Sequence, residues 1–297
     1  MILYDFSSPL TDNARNRLLF QGDLVVFRQI PAMLQLSYRL DQIISHHLKQ
    51  AIPPQATLQM TCEQFHNRIS MLQSAFTSTS EFRQLCTQAL QQAGMAIDNA
   101  FADALFLRTV PPEKLSNKAH NNKFRGSIAH HRDTWGSNIQ PQINWWSPIY
   151  KITEQRGIAF YPDYWDKAIT NTTASWSFEE FLKSRDRTPS GQPVSYPFAP
   201  QACEPVDEGK QVRITIEPGD LLCFSSAHLH ASVANTTQLT RFSLEMRTVS
   251  ITDLLQGHQP PNIDNHADIP MYHWFRRMTD RQLLSEAVAD SLAINKK

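Results

Sequence analysis

A chain of 297 residues, 41% hydrophobic and 19% charged, can bury a sizeable core, which excludes intrinsic disorder as its class. Its 28 basic and 28 acidic side chains cancel to a formal net charge of +0, so it carries no overall electrostatic footprint for duplex nucleic acid or an anionic membrane. Four cysteines, Cys62, Cys86, Cys203 and Cys223, lack C-x-x-C spacing, which argues against a thiolate zinc site or a disulfide framework. No run reaches the ~18 apolar residues of a membrane span. The first residues show neither the charged nor the apolar region of a secretory signal. The expectation is a cytoplasmic protein that engages neither nucleic acid nor membrane.

In chain order, Gly22-Asp-Leu-Val-Val-Phe27 predicts a short strand. Pro31 opens a helix with Leu36, Leu40, Ile43, Ile44 and Leu48 on one face, and Pro53-Pro54 ends it. Capping boxes at Thr61-x-x-Gln64 and Ser78-x-x-Glu81 predict two further helices, carrying Phe65, Ile69 and Leu72, then Phe82, Leu85 and Leu90. Residues of about 30–100 therefore read as helical, and about 105–250 as strands. Val212, Ile214 and Ile216 alternate with polar residues. Pro218-Gly219-Asp220 is a turn, Leu221–Phe224 a buried strand, and Phe242, Leu244 and Met246 alternate again. A polar segment at about 163–201 interrupts the strands as an insert or lid, with a helical piece near Phe178–Leu182. Thr279-x-x-Gln282 introduces a closing helix at about 279–294. Without repeats or a dividing linker, 1–297 reads as one domain. Its class is mainly β with flanking helices: a jelly roll around a wet pocket, N-terminal helices and a C-terminal helix.

Two distant stretches concentrate the chemistry. On a strand, His131 and Asp133 of His131-Arg132-Asp133 would share a face. His230 would add a third ligand, completing the 2-His-1-carboxylate set that holds non-haem Fe(II) with open positions. If Asn235-Thr236 is a hairpin tip, Arg241 stands across from His230. A guanidinium there suits a dicarboxylate chelating the metal at its other end, with Ser232 adding a hydroxyl. The plainer reading of Arg241 is a salt bridge to Glu245 or Glu217. His228 shares the strand face with His230 and is either the ligand or a polar neighbour. His130 faces away. Gln142 and Asn144 either hydrogen-bond a ligand or satisfy buried backbone. Lys123 and Arg125 either grip an anion or lie on a solvated loop. Trp135, Trp145 and Trp146 read as core.

The pattern His131-x-Asp133, His230-x-Ser232 and Arg241 resembles the H-x-D…H-x-S…R signature of Fe(II)/2-oxoglutarate dioxygenases. The eleven-residue step from His230 to Arg241 is typical of their phytanoyl-CoA-dioxygenase-like branch, and Pro218–Phe224 and Gly22–Val26 are similar to two of its strands. The likeness runs over residues of about 20–250, and its specific part is the ligand set. It implies a double-stranded β-helix core and Fe(II) held by His131, Asp133 and His230. It also implies 2-oxoglutarate as cosubstrate, held by Arg241 and Ser232 and decarboxylated to succinate and CO2 while O2 oxidises a small molecule. Because Asp133 stands where halogenating relatives have a small residue, hydroxylation is the implied outcome. Two alternatives stay open on the residues: a cupin-like hydrolase or isomerase with another metal on His131, His228 and His230, and a non-catalytic jelly-roll binding protein.

Overall fold

Apolar alternation along four strands decides how the layers stack. The computed structural model describes residues 1–49, 51–115, 127–189 and 194–294. The first half runs β1 (Leu3–Phe6), α1 (Asp12–Leu19), β2 (Leu24–Phe27), α2 (Pro31–Leu48), α3 (Ala56–Gln59), α4 (Cys62–Ser78), α5 (Ser80–Gln92), β3 (Ala100–Ala102) and β4 (Phe106–Val110). The second half runs α6 (Asp133–Ser137), β5 (Gln142–Pro148), β6 (Ile158–Phe160), α7 (Phe178–Arg187), β7 (Val212–Ile214), β8 (Leu221–Ser225), β9 (His230–Ser232), β10 (Arg241–Ser250), α8 (Ile251–Gln256), β11 (Arg276–Arg277) and α9 (Leu284–Ile294).

Among the described residues the larger sheet has eight strands in the order β1-β2-β8-β5-β10-β3-β11, with β4 paired to the first half of β10. A smaller sheet has the order β7-β6-β9. Val25 and Phe27 of β2, Trp145 of β5, Cys223 of β8 and Phe242, Leu244 and Met246 of β10 face outward into one apolar cluster with α2, α4 and α5. Leu24, Val26, Trp146, Leu222 and Phe224 face the other way and meet Ile158, Phe160 and Ile214 of the smaller sheet. Helices therefore cover one face of the larger sheet, and the smaller sheet covers the other. Burying both faces explains why β2, β5 and β8 are buried at every position.

Several predicted elements change bounds. Thr61 and Gln64 form the reciprocal capping box at the start of α4. At the second predicted box α4 runs through Ser78, and α5 starts from Thr79, which makes no side-chain cap. The α2 helix stops at Leu48, before the prolines, where Lys49 takes a positive φ of 59°. The closing helix begins at Leu284, not near Thr279, since Arg281 has a φ of 70°. The N-terminal β1, parallel to β2, and α1 were not anticipated: β1 is four residues long, too short for its period to show.

Candidate metal centre

His131-Arg132-Asp133 is not a strand. His131 makes a single antiparallel bridge to His230, exchanging both backbone hydrogen bonds at 3.0 Å, and Asp133 already begins α6. The extended Arg132 between them (φ −109°, ψ 136°) sends its own side chain to the far side. There it is buried, ion-paired to Asp264 at 3.1 Å, and donates to the carbonyls of Ala227, Tyr164 and Lys167. The middle residue of the motif thus ties the ligand segment to the loop before His230, to the insert and to the C-terminal region. Sequence reading passed over it; its position between two ligand candidates is the signal that was available.

The ligand atoms of His131, Asp133 and His230 lie within 4.8 Å of one another, a group that could hold a metal ion. Each imidazole uses Nδ1 on a backbone carbonyl, His131 on Ala129 at 2.8 Å and His230 on His228 at 3.0 Å. A carbonyl accepts only from N–H, so both Nδ1 atoms carry the proton and both Nε2 lone pairs are left for a ligand bond. Those Nε2 atoms stand 3.7 and 3.6 Å from the two Asp133 oxygens, beyond hydrogen-bond reach. Atoms so spaced can still be bridged by one ion with bonds of about 2.1 Å. Burial, then the neighbouring His230, pushes the His131 imidazole down to about 4, so it stays neutral as a ligand must. Burial opposes ionisation of Asp133, but the two imidazoles, Arg247 and the Asn144 amide outweigh it and hold its carboxyl low. The residues present therefore fit a divalent metal.

The Asn144 amide donates to Asp133, while its carbonyl accepts from Ser226 Oγ at 2.5 Å, and Gln142 donates to that same Ser226 oxygen at 2.8 Å. Asn144 lines the cavity and aims the carboxylate. Of the two roles open to Gln142, contact with a ligand or support of buried groups, its place fully buried one step further back and outside the cavity lining favours the second. Arg247, another residue not anticipated, pairs with Asp103 at 2.5 Å and approaches Asp133 to 3.7 Å.

The expected hairpin does not form. β9 pairs with β6, whereas β10 pairs with β4 and β5, so His230 and Arg241 sit in different sheets and are not cross-strand partners. Asn235, 2% exposed, instead donates to the carbonyls of Val110 and Leu239 and pins the chain as it crosses between sheets. Arg241 still reaches the same place from the opposite wall. It donates to the carbonyls of Gly157 and Arg156 and to Ser232 Oγ at 3.3 Å. Ser232 Oγ also accepts from the Ile128 N–H at 3.2 Å, so both lone pairs are used and its O–H proton is left to donate. Neither anticipated salt bridge holds Arg241: Glu245 is gripped at both oxygens by Arg108 at 2.5 Å, and Glu217 pairs with Lys151. Burial pushes the Arg241 guanidinium down to about 10, and its Nε has no hydrogen-bond partner among the described residues.

His228 lies at a bend outside β9, with its ring against Trp165 at 4.5 Å and edge-on to Phe160 at 5.5 Å. It does not join the ligand group, so the all-nitrogen set loses a member. His130 turns to Tyr161 and Glu208. Trp145 and Trp146 pack on opposite faces of β5 and Trp135 on the far side of the smaller sheet, as core. Lys123 and Arg125 lie outside the described residues.

No family model matches this chain, and no curated protein does. Solved structures similar to it include EvdO2 from Micromonospora carbonacea var. aurantiaca complexed with 2-oxoglutarate, 12% identical over 82% of this chain and 92% of that one, with a TM-score of 0.42. EctD from S. alaskensis with bound Fe is 11% identical over 89% of both chains, with a TM-score of 0.41. SnoK, a non-heme alpha ketoglutarate dependent carbocyclase from nogalamycin biosynthesis, is 12% identical over 90% of this chain and 98% of that one, with a TM-score of 0.39. At such identity and overlap, what the site can do is read from its own atoms.

Proposed function

We propose that the chain is a non-haem Fe(II)- and 2-oxoglutarate-dependent oxygenase of the phytanoyl-CoA-dioxygenase-like kind, built on a double-stranded β-helix in one domain. Its reaction is the oxidation, by preference hydroxylation, of a small molecule. The carrying observation is the pairing of two features in one cavity. Two imidazoles with Nε2 free meet a carboxylate, and a buried guanidinium that has no carboxylate partner among the described residues waits beside Ser232. Ser232 lies two residues beyond His230 on β9, about 7 Å along the strand, a span suited to a five-carbon keto-diacid.

His131, Asp133 and His230 would hold Fe(II), and the cavity beside them would take 2-oxoglutarate. Bound there, the metal and its cosubstrate supply the oxidising equivalents. Arg241 and the Ser232 hydroxyl neutralise and orient the distal carboxylate. Asn144 fixes the Asp133 oxygens, and the Nδ1 bonds fix both rings. Phe160 and Phe224, stacked and edge-on to His230 at 6.0 and 5.1 Å, keep bulk water from its metal-facing nitrogen. The test is anaerobic addition of Fe(II) and 2-oxoglutarate. A weak visible charge-transfer band should appear only with both present, and succinate should form when O2 is admitted with substrate. Tight zinc binding with no such band would remove the assignment.

A further inference from the structure

The cavity that reaches the three ligands measures about 1240 Å³, above the ~300–1,000 Å³ of ordinary small-molecule sites. Its inner end is the polar floor already described. Its outer end is walled by Trp176, Phe178, Phe181 and Phe198, while Phe106 and Trp274 lie toward the floor, 5.7 and 5.8 Å from the Arg247 guanidinium. Part of that wall is α7, on which Lys183 pairs with Glu179 and Glu180 at 2.8 and 3.0 Å while Arg185, paired with Asp186, reaches the cavity rim. Phe178, Phe181 and Leu182 form an apolar stripe at helical spacing, and no residue of α7 is buried. Phe178 and Phe181 of this stripe line the cavity, with Phe178 edge-on to Trp274 at 4.9 Å and tilted against Trp176 at 6.3 Å. An apolar face without a protein core beneath it gains stability only when an apolar occupant removes water from it.

Charge narrows the occupant. Each arginine lining the cavity except Arg241 has a carboxylate partner: Arg108 with Glu245, Arg132 with Asp264, Arg185 with Asp186, and Arg247 with Asp103. Among the described residues no lysine lines it. Among the described residues a phosphate or a second carboxylate would find no guanidinium there without a carboxylate partner, apart from Arg241. We infer that the outer chamber binds a neutral molecule with a broad, flat, ring-bearing apolar body, seated against Trp176, Phe181 and Phe198 beside the Phe178–Trp274 contact. As the identity of the oxidised substrate this rests on the oxygenase reading; as binding it does not.

The test titrates the full chain with anthraquinone, following quenching of tryptophan fluorescence, since Trp176 and Trp274 line the cavity. Saturable quenching is expected, weakened about tenfold by Phe178→Ala and by Phe181→Ala. Affinity unchanged in both variants, or displacement of the probe by palmitoyl-CoA at lower concentration than it is applied, would overturn the inference. Quenching needs no metal, so the two readings fail separately. Loss of the Fe(II)–2-oxoglutarate band with wall-dependent quenching intact sinks only the oxygenase assignment. The reverse result sinks only the chamber.

Discussion

The two ends of the cavity are built on different principles. At the floor the polar side chains are held in place by a chain of hydrogen bonds. Asp133 is held by Asn144, Asn144 by Ser226, Ser226 by Gln142, and both imidazoles by backbone carbonyls. These groups sit on paired strands or against them. At the outer end the side chains are large, apolar and half-exposed, carried by one helix and the loops around it. Chemistry needs fixed geometry, while recognition of a bulky apolar body needs area and tolerates adjustment.

Five substitutions break or sharpen that contrast. Asp133→Ala should abolish both the charge-transfer band and succinate formation, because among the described residues no other carboxylate joins the two Nε2 atoms; residual coupled turnover would show that the floor is not the metal site. Arg132→Ala leaves Asp264 buried without its partner, so denaturant unfolding should show a loss of about 3–5 kcal/mol. Arg241→Leu should raise the 2-oxoglutarate requirement about 100-fold. The same change removes a buried cation that lacks an ion pair, so the melting temperature of the metal-free protein should not fall. Asn144→Ala should weaken Fe(II) affinity about tenfold, seen in metal titration, with the 2-oxoglutarate requirement little changed. Ser177→Ala removes the side-chain N-cap of α7, accepting from Glu180 N–H at 3.3 Å, and should cost about 1 kcal/mol locally. Hydrogen exchange should rise in α7 alone, and a matching rise at the floor would deny the separation of the two ends.

How much of this could be read from the residues follows the same divide. Alternation along β10 told which residues face the helices and which face the cavity, because a half-apolar strand writes its two faces in period two. The three ligand candidates could be named from residue type and order, but the backbone carrying them could not. The αL turn at Asn138 that closes α6, and the bridge from His131 to His230, depend on contacts about a hundred residues apart. Asn235-Thr236 looked like a hairpin tip. Burial turned the same asparagine into a clamp on a crossover, and local propensity carries no trace of Val110 or of Pro54, whose carbonyl accepts from Thr240. Arg132 and Arg247 went unread for a related reason: an arginine's partner is chosen by the fold.

One ribbon, β10, carries both layers at once: Arg241, Ser243, Glu245 and Arg247 on one side, Phe242, Leu244 and Met246 on the other. Inserting or deleting a single residue ahead of it would turn the wall inside out, pushing charge into the oil under the helices and oil into the reaction chamber. This wall can therefore be rewritten letter by letter but not lengthened, and any diversification of what the protein accepts has to be drafted in the insert above it.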